Sequence, residues 1–298
     1  MRSMRIGRLL TLPDTLDIDT LRAQAADAAA RGLDSVWTNT APGSWDPLGI
    51  LGPFGKEGPA ELGTAIVPTY PRHPVTMAAE ALTVQSATGG RLTLGIGPSH
   101  EHAIAGMFGI PYSAPASHTR EYLEVLLPLM RGEHVRYKGR FFTVDYQIAV
   151  PAEPPRVLLS ALGPRMLRIA RDLTDGTIAV WVRPDTIADY IGPALGEGKR
   201  IVVNVIVAVT DDPDSVRATI ATRYKAVGDL PAYRAVLDRG GLSSPAETVI
   251  AGPEEAVLRE LQRFRDAGAT DLVISVAAPP GERQRTLDLI AQAANDDG

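Results

Sequence analysis

The chain has five histidines and no cysteine. Without thiols there is no disulfide, zinc–thiolate site, iron–sulfur cluster or cysteine nucleophile. The densest run of reactive residue types is Gly95-Ile96-Gly97-Pro98-Ser99-His100-Glu101-His102. It is not a dinucleotide fingerprint, because the third glycine position of Gly-x-Gly-x-x-Gly holds His100. Nor is it the nucleophile elbow of a serine hydrolase, whose closing glycine is replaced by Glu101. His100 and His102 form a His-x-His pair, but only His73, His118 and His134 remain to complete a metal site. No metal is therefore expected, and the plain alternative for His100 is a loop imidazole bonded to backbone.

A second candidate is Ser160-Ala161-Leu162-Gly163-Pro164-Arg165-Met166. Glycine permits close backbone approach, proline presets a first helical turn, and the free amides at a helix start suit a phosphate. Arg165 could add charge. A third is Pro68-Thr69-Tyr70-Pro71-Arg72-His73-Pro74, where three prolines take the chain out of a strand into a rigid connection. Trp37, Trp45 and Trp181 lie near expected strand ends and could wall a planar ligand, although core packing is the commoner use of tryptophan.

These residues need elements to hold them. Apolar, β-branched runs predict strands at Arg5–Leu12, Ser35–Thr40, Glu61–Val67, Arg91–Ile96, Arg156–Ser160, Thr177–Trp181, Ile201–Val209 and Asp271–Val276. Several are near-continuous, as parallel strands covered on both faces require. Helices are predicted at Leu21–Ala30, Pro74–Ala87, Thr119–Met130, Arg165–Leu173, Pro213–Val227, Glu254–Ala267 and Arg283–Ala294. Eight βα alternations predict an α/β fold, a single closed (β/α)₈ barrel spanning 1–298, with an open doubly wound sheet as competitor. Small insertions are expected as a hairpin over His134–Val144, turning at Lys138-Gly139, and a short helix within Gly228–Gly241. In a barrel, reactive residues sit at the carboxyl ends of strands, which is where all three candidates fall.

Composition narrows the function classes. At 298 residues with net charge −5, the chain has no basic excess to neutralise phosphates, so nucleic acid is not an expected partner. The longest apolar run, Ile201–Val209, is too short to span a membrane, and Met1–Leu12 lacks the apolar core of a secretory signal. A cytoplasmic protein is the default. Only four of the thirty basic residues are lysines, a bias that fits GC-rich coding better than a binding surface.

Together the motifs resemble the luciferase-like flavin and deazaflavin oxidoreductases. The resemblance is carried by Glu61 to Pro74, by Thr88-Gly89-Gly90-Arg91-Leu92-Thr93-Leu94-Gly95-Ile96-Gly97, by Ala161 to Met166 followed by Asp175-Gly176-Thr177, by Gly106 to Pro111, and by Arg120-Glu121-Tyr122-Leu123. It is nearest to the actinobacterial subgroup using coenzyme F420, an 8-hydroxy-5-deazaflavin, with flavin mononucleotide (FMN) as the alternative. It implies a barrel holding the tricyclic ring at its carboxyl end, over a non-proline cis peptide mapped to Ala65–Ile66. Gly97, Pro98 and Ser99 would lie beside the ring, Ala161, Leu162, Gly163 and Arg165 near the phosphate, and Thr40 at the end of strand 2. His100 takes the place where the family often puts an ionisable group near the reacting carbon, and an imidazole can supply a proton near neutral pH. Glu101, if turned back onto that ring, would raise its pKa. Sugar-phosphate dehydrogenases of the family carry Asp-His where this chain has Thr40-Ala41, and a glutamate where it has His100, so that activity is not expected. The resemblance also implies a homodimer. Competing functions are an FMN monooxygenase and a barrel that binds without catalysis.

Overall fold

The computed structural model describes residues 4–12, 15–40 and 45–295. Twelve strands are present among them: β1 (Arg5–Leu9), β2 (Ser35–Thr38), β3 (Glu61–Thr64), β4 (Val67–Pro68), β5 (Leu92–Gly97), β6 (Val135–Lys138), β7 (Thr143–Tyr146), β8 (Arg156–Ser160), β9 (Gly176–Val180), β10 (Arg200–Val209), β11 (Ile250–Gly252) and β12 (Asp271–Val276). Parallel pairing runs β1-β2-β3-β5-β8-β9-β10-β12 and returns from β12 to β1. This is a closed eight-stranded barrel. The sheet shuts through two ladders, Arg5↔Asp271 to Arg8↔Ile274 and Arg200↔Gly176 to Asn204↔Val180. All eight expected barrel strands form, with ends that match or shift by a few residues.

The third strand is interrupted. The Ala65–Ile66 peptide is cis, as the resemblance implies, and pairing resumes in β4 against Ile96 and Gly97. Helices cover the outside close to the expected bounds, Pro74–Ala87 among them. The expected helix Pro213–Val227 instead breaks at Tyr224 into Pro213–Arg223 and Lys225–Gly228. Tyr224 packs its ring on Trp181 at the break, with centroids 4.9 Å apart. The hairpin β6–β7 extends to Tyr146, and the Gly139 amide donates to the Phe142 carbonyl at 2.9 Å, so its turn is longer than the two residues Lys138-Gly139. Not anticipated were β11, which lengthens the sheet beside β10, and the short helical turns over Pro184–Leu195.

Inside the barrel, Trp37, Leu158, Ile178, Val202 and Val273 form the buried filling, with Leu9, Ala65 and Ile66 partly buried against them. Trp37 is fully buried and its indole N–H donates to Ser35 Oγ at 2.8 Å. Two strand glycines make room for it. A Cβ on Gly63 would overlap the indole, and one on Gly7 would overlap Ser35. The amino end is closed by charges from the first residues of β1, β3, β10 and β12. Arg200 bonds Glu61 at 3.0 Å and Asp271 at 2.5 Å, and Arg5 pairs with both carboxylates. The candidate residues follow the carboxyl ends of the strands, at the opposite end from these ion pairs.

Candidate functional site

The floor of the site is built by three strands. Thr64, fully buried, donates its hydroxyl to the Gly95 carbonyl and accepts from the Gly95 amide, both at 2.9 Å. The Ala65 amide donates to the Thr38 carbonyl at 2.7 Å. These bonds set the Ala65–Ile66 bulge against β2 and β5. Gly97 then lies between Ile66 and Ser160, since a Cβ there would come within 3.0 Å of Ser160 Cβ and 3.4 Å of Ile66 Cδ1. Ile66, Gly97 and Ser160 are therefore contiguous, from elements distant in the chain.

One wall is the loop after β5. Ser99 adopts φ +61°, uncommon for a residue with a side chain, and its carbonyl accepts from the Tyr112 hydroxyl at 3.0 Å. Tyr112 packs on Tyr70 with centroids 4.9 Å apart, and Tyr70 stacks on His118 at 3.8 Å and 5°. Tyr70 also donates to the Ser113 carbonyl at 2.9 Å. An aromatic column rooted on buried His118 thus pins the loop. Burial pushes the His118 imidazole down to about 4, so it stays neutral.

His100 follows Ser99. Its carbonyl accepts from the amides of Ala103 and Ile104, which starts the widened turn His102–Met107. Its ring packs against Tyr233 with centroids 4.6 Å apart and a 60° tilt. Burial pushes the His100 pKa below the ordinary imidazole value. The anticipated upward pull of Glu101 does not operate, because Glu101 is exposed and plays no part in the shift. His102 is exposed as well, and no group of three or more His, Asp or Glu able to hold a metal occurs among the described residues.

The third part is the turn after β8. Ala161 and Leu162 are buried, while Gly163 is the exposed residue preceding the helix Pro164–Leu173. Thr177 holds the approach, its hydroxyl 2.9 Å from the Leu159 carbonyl and 3.2 Å from that of Ala161. No side chain caps this helix start, and a Cβ on Gly163 would meet nothing within 4 Å. Uncapped amides, open space and exposed Arg165 fit a phosphate-bearing ligand. Thr40 is exposed beyond β2, and its neighbour Ala41 lies outside the described residues.

Of the two uses open to the tryptophans, core packing is the one found. Trp37 is packed inside the barrel, and Trp45 packs against the main core. Trp181 is buried under the segment between β10 and β11, at φ +58°, beside Tyr224 and Tyr233. The aromatic that faces the site next to His100 is Tyr233. No local motif marks it, and the expected short helix within Gly228–Gly241, where it falls, carried no functional signal.

Residues 7–273 match the family model described as luciferase-like monooxygenase. The chain belongs to this family. Among luciferase-like relatives, an uncharacterized protein of Mycobacterium tuberculosis, Rv1360, is 31% identical over 250 residues, covering 74% of this chain and 72% of that one. An F420-dependent glucose-6-phosphate dehydrogenase of Nakamurella multipartita is 24% identical, covering 90% and 89% of the two chains. Solved structures share the fold. An F420-dependent secondary alcohol dehydrogenase in complex with an F420-acetone adduct superimposes with TM-score 0.81 at 21% identity, over 99% of this chain and 100% of that one. The oxygenating constituent of 3,6-diketocamphane monooxygenase from Pseudomonas putida, in complex with FMN, gives 0.75 at 14% identity over 99% of each chain.

Proposed function

We propose that this luciferase-like protein is an oxidoreductase that uses coenzyme F420 to move a hydride between the deazaflavin and a small organic substrate. The observation that carries this reading is the contiguity of Ile66, Gly97 and Ser160, three residues before the uncapped turn at Gly163. That pairing of a close-packed floor with a phosphate-compatible helix start suits a planar ring on a phosphorylated tail. The bound deazaflavin supplies two-electron hydride chemistry at a ring carbon. Ala65, Ile66 and Gly97 support the ring, Pro98, Ser99 and Thr40 line its edges, and Ala161, Leu162, Gly163 and Arg165 hold the tail.

His100 handles the proton. Its lowered pKa leaves the resting imidazole neutral at neutral pH, ready to accept a proton from a substrate hydroxyl. In the reverse direction the same nitrogen, once protonated, neutralises the anion that hydride addition creates. Tyr233 packs against its ring. The sugar-phosphate reaction is not proposed, because His100 and Thr40 stand where its expected carboxylate and Asp-His pair would be.

The deciding experiment titrates purified protein with oxidised F420 and with FMN. Tighter F420 binding is expected, together with a fall in kcat of ~10²–10⁴-fold for His100→Ala at nearly unchanged cofactor affinity. Tighter FMN binding with oxygen-dependent turnover would assign a flavin monooxygenase, and no turnover with any acceptor a binding protein. We expect a single-domain barrel that associates as a homodimer, and a monomer mass by light scattering would contradict the latter.

A further inference from the structure

Four of the chain's arginines meet in one place away from the candidate site. A groove of about 560 Å³ lies between the outer helix Glu254–Asp266 and the short turn Pro184–Thr186, and Arg183, Arg217, Arg259 and Arg263 line it. None of Ile66, Gly97, His100, Ser160 and Gly163 does. This is a second cavity, of a size that takes a small molecule, on a chain whose net charge is −5.

The segment around β11 fixes two of the arginines. Arg183 donates from Nε and Nη2 to the Glu247 carbonyl at 3.3 and 3.0 Å. Arg217, on the helix Pro213–Arg223, donates from Nη2 to the Ala251 carbonyl at 3.1 Å. Both guanidiniums are thus held on backbone oxygens, which leave their charge in place, and each has five N–H donors, more than these bonds use. Arg217 also meets Asp214 at 3.3 Å, one turn earlier on its own helix, where that carboxylate is almost wholly exposed.

The carboxylates of the groove are committed elsewhere. Glu247 accepts from the Ser243 and Ser244 amides at 2.8 and 3.1 Å, completing a capping box. Asp185 and Glu260 both pair with Arg263, at 3.3 and 3.0 Å. Arg259 makes no hydrogen bond or ion pair among the described residues. Arg183, Arg217 and Arg259 therefore line the groove with no groove carboxylate paired to them. Three guanidiniums match the three oxygens of a phosphate group, and their summed charge favours a dianion over a monoanion. Two of the three are already positioned, which lowers the ordering cost of binding.

We propose that this groove is a binding site for the dianionic phosphate group of a small molecule, held by Arg183, Arg217 and Arg259 and separate from the cofactor site.

The test titrates inorganic phosphate into the full chain and follows the arginine Nε–Hε NMR signals, with ionic strength held constant by chloride and acetate as the monoanionic control. The Arg183, Arg217 and Arg259 signals should move saturably with phosphate and not with acetate. Arg259→Ala should weaken phosphate binding by roughly 3–10-fold, the scale of one charge-assisted contact discounted for solvent, and Arg259→Glu should abolish it. Arg259 has no partner to lose, so both variants should unfold at the parent's temperature without phosphate. Arg165→Ala, which removes the charge beside Gly163, should leave the response of the groove signals as in the parent. Unmoved groove signals, an equal response to acetate, or an Arg259→Glu protein that still binds phosphate there would each overturn the proposal. The parent's own arginine signals carry the test independently of any variant.

Discussion

The Tyr112 hydroxyl donates to the Ser99 carbonyl at 3.0 Å, and Ser99 at φ +61° is the residue that turns the chain into His100. The backbone turn into His100 is therefore set by a phenol thirteen residues beyond Ser99. Burial, with Tyr70 and Glu101 nearby, pushes Tyr112 up to about 12, so it donates at any working pH. Tyr112→Phe should lower kcat by about 2–10-fold, the scale of one lost hydrogen bond, with little change in F420 affinity. Steady-state kinetics beside a cofactor titration checks this, and a loss confined to cofactor binding would refute it.

Arg165 is exposed at the uncapped start of the helix after Gly163. Arg165→Ala should weaken F420 binding by roughly 3–10-fold, a discounted value for a solvent-screened contact, and the effect should shrink as salt rises. Fluorescence titration at two ionic strengths reads it. Equal affinities at both would remove Arg165 from the phosphate site.

His118 makes acid stability a direct test of the aromatic column. Its folded pKa of about 4 lies below the ordinary 6.5 because burial disfavours the cation. The unfolded chain then binds the extra proton between those values, so stability rises with pH across the window and is lost as pH falls through it, by an amount on the order of 3 kcal/mol. Carboxylates titrate in the same range, so the comparison is with His118→Phe, which should show a shallower loss between about pH 7 and pH 4 in urea unfolding. Parallel curves for the two proteins would contradict this.

At the opposite end, burial pushes the Glu61 carboxyl up, but Arg200 and Arg5 outweigh it and hold the pKa below the usual value. Arg200→Met leaves Glu61 and Asp271 sharing Arg5 alone. Removing one partner from a buried ionic cluster costs about 3–5 kcal/mol, so a large drop in the urea midpoint is expected, with F420 affinity unchanged in the folded protein. A variant as stable as the parent would show that the cluster does not close the barrel.

The strand and helix positions were legible in the sequence because each is a local pattern. Apolar runs such as Asp271–Val276, Pro74 at a helix start and glycine breaks state their element without reference to the rest of the chain. The family motifs around Ala65, Gly97 and Gly163 were legible for the same reason. Closure of the sheet was legible only through the family resemblance, because βα alternation fits open and closed sheets alike, and the β12–β1 and β9–β10 ladders bear it out. Which tryptophan fills the barrel depends on the glycines across from it, Gly7 and Gly63, and so on strand register. The environment of His100 was beyond sequence reasoning altogether. Adjacency put Glu101 forward as its modulator, but side-chain direction turns Glu101 to solvent and the fold brings Tyr233 in from another element. Sequence by itself determined the elements and the chemical groups they carry. The tertiary structure decided which groups meet, because burial and contact depend on packing between segments that share no local pattern.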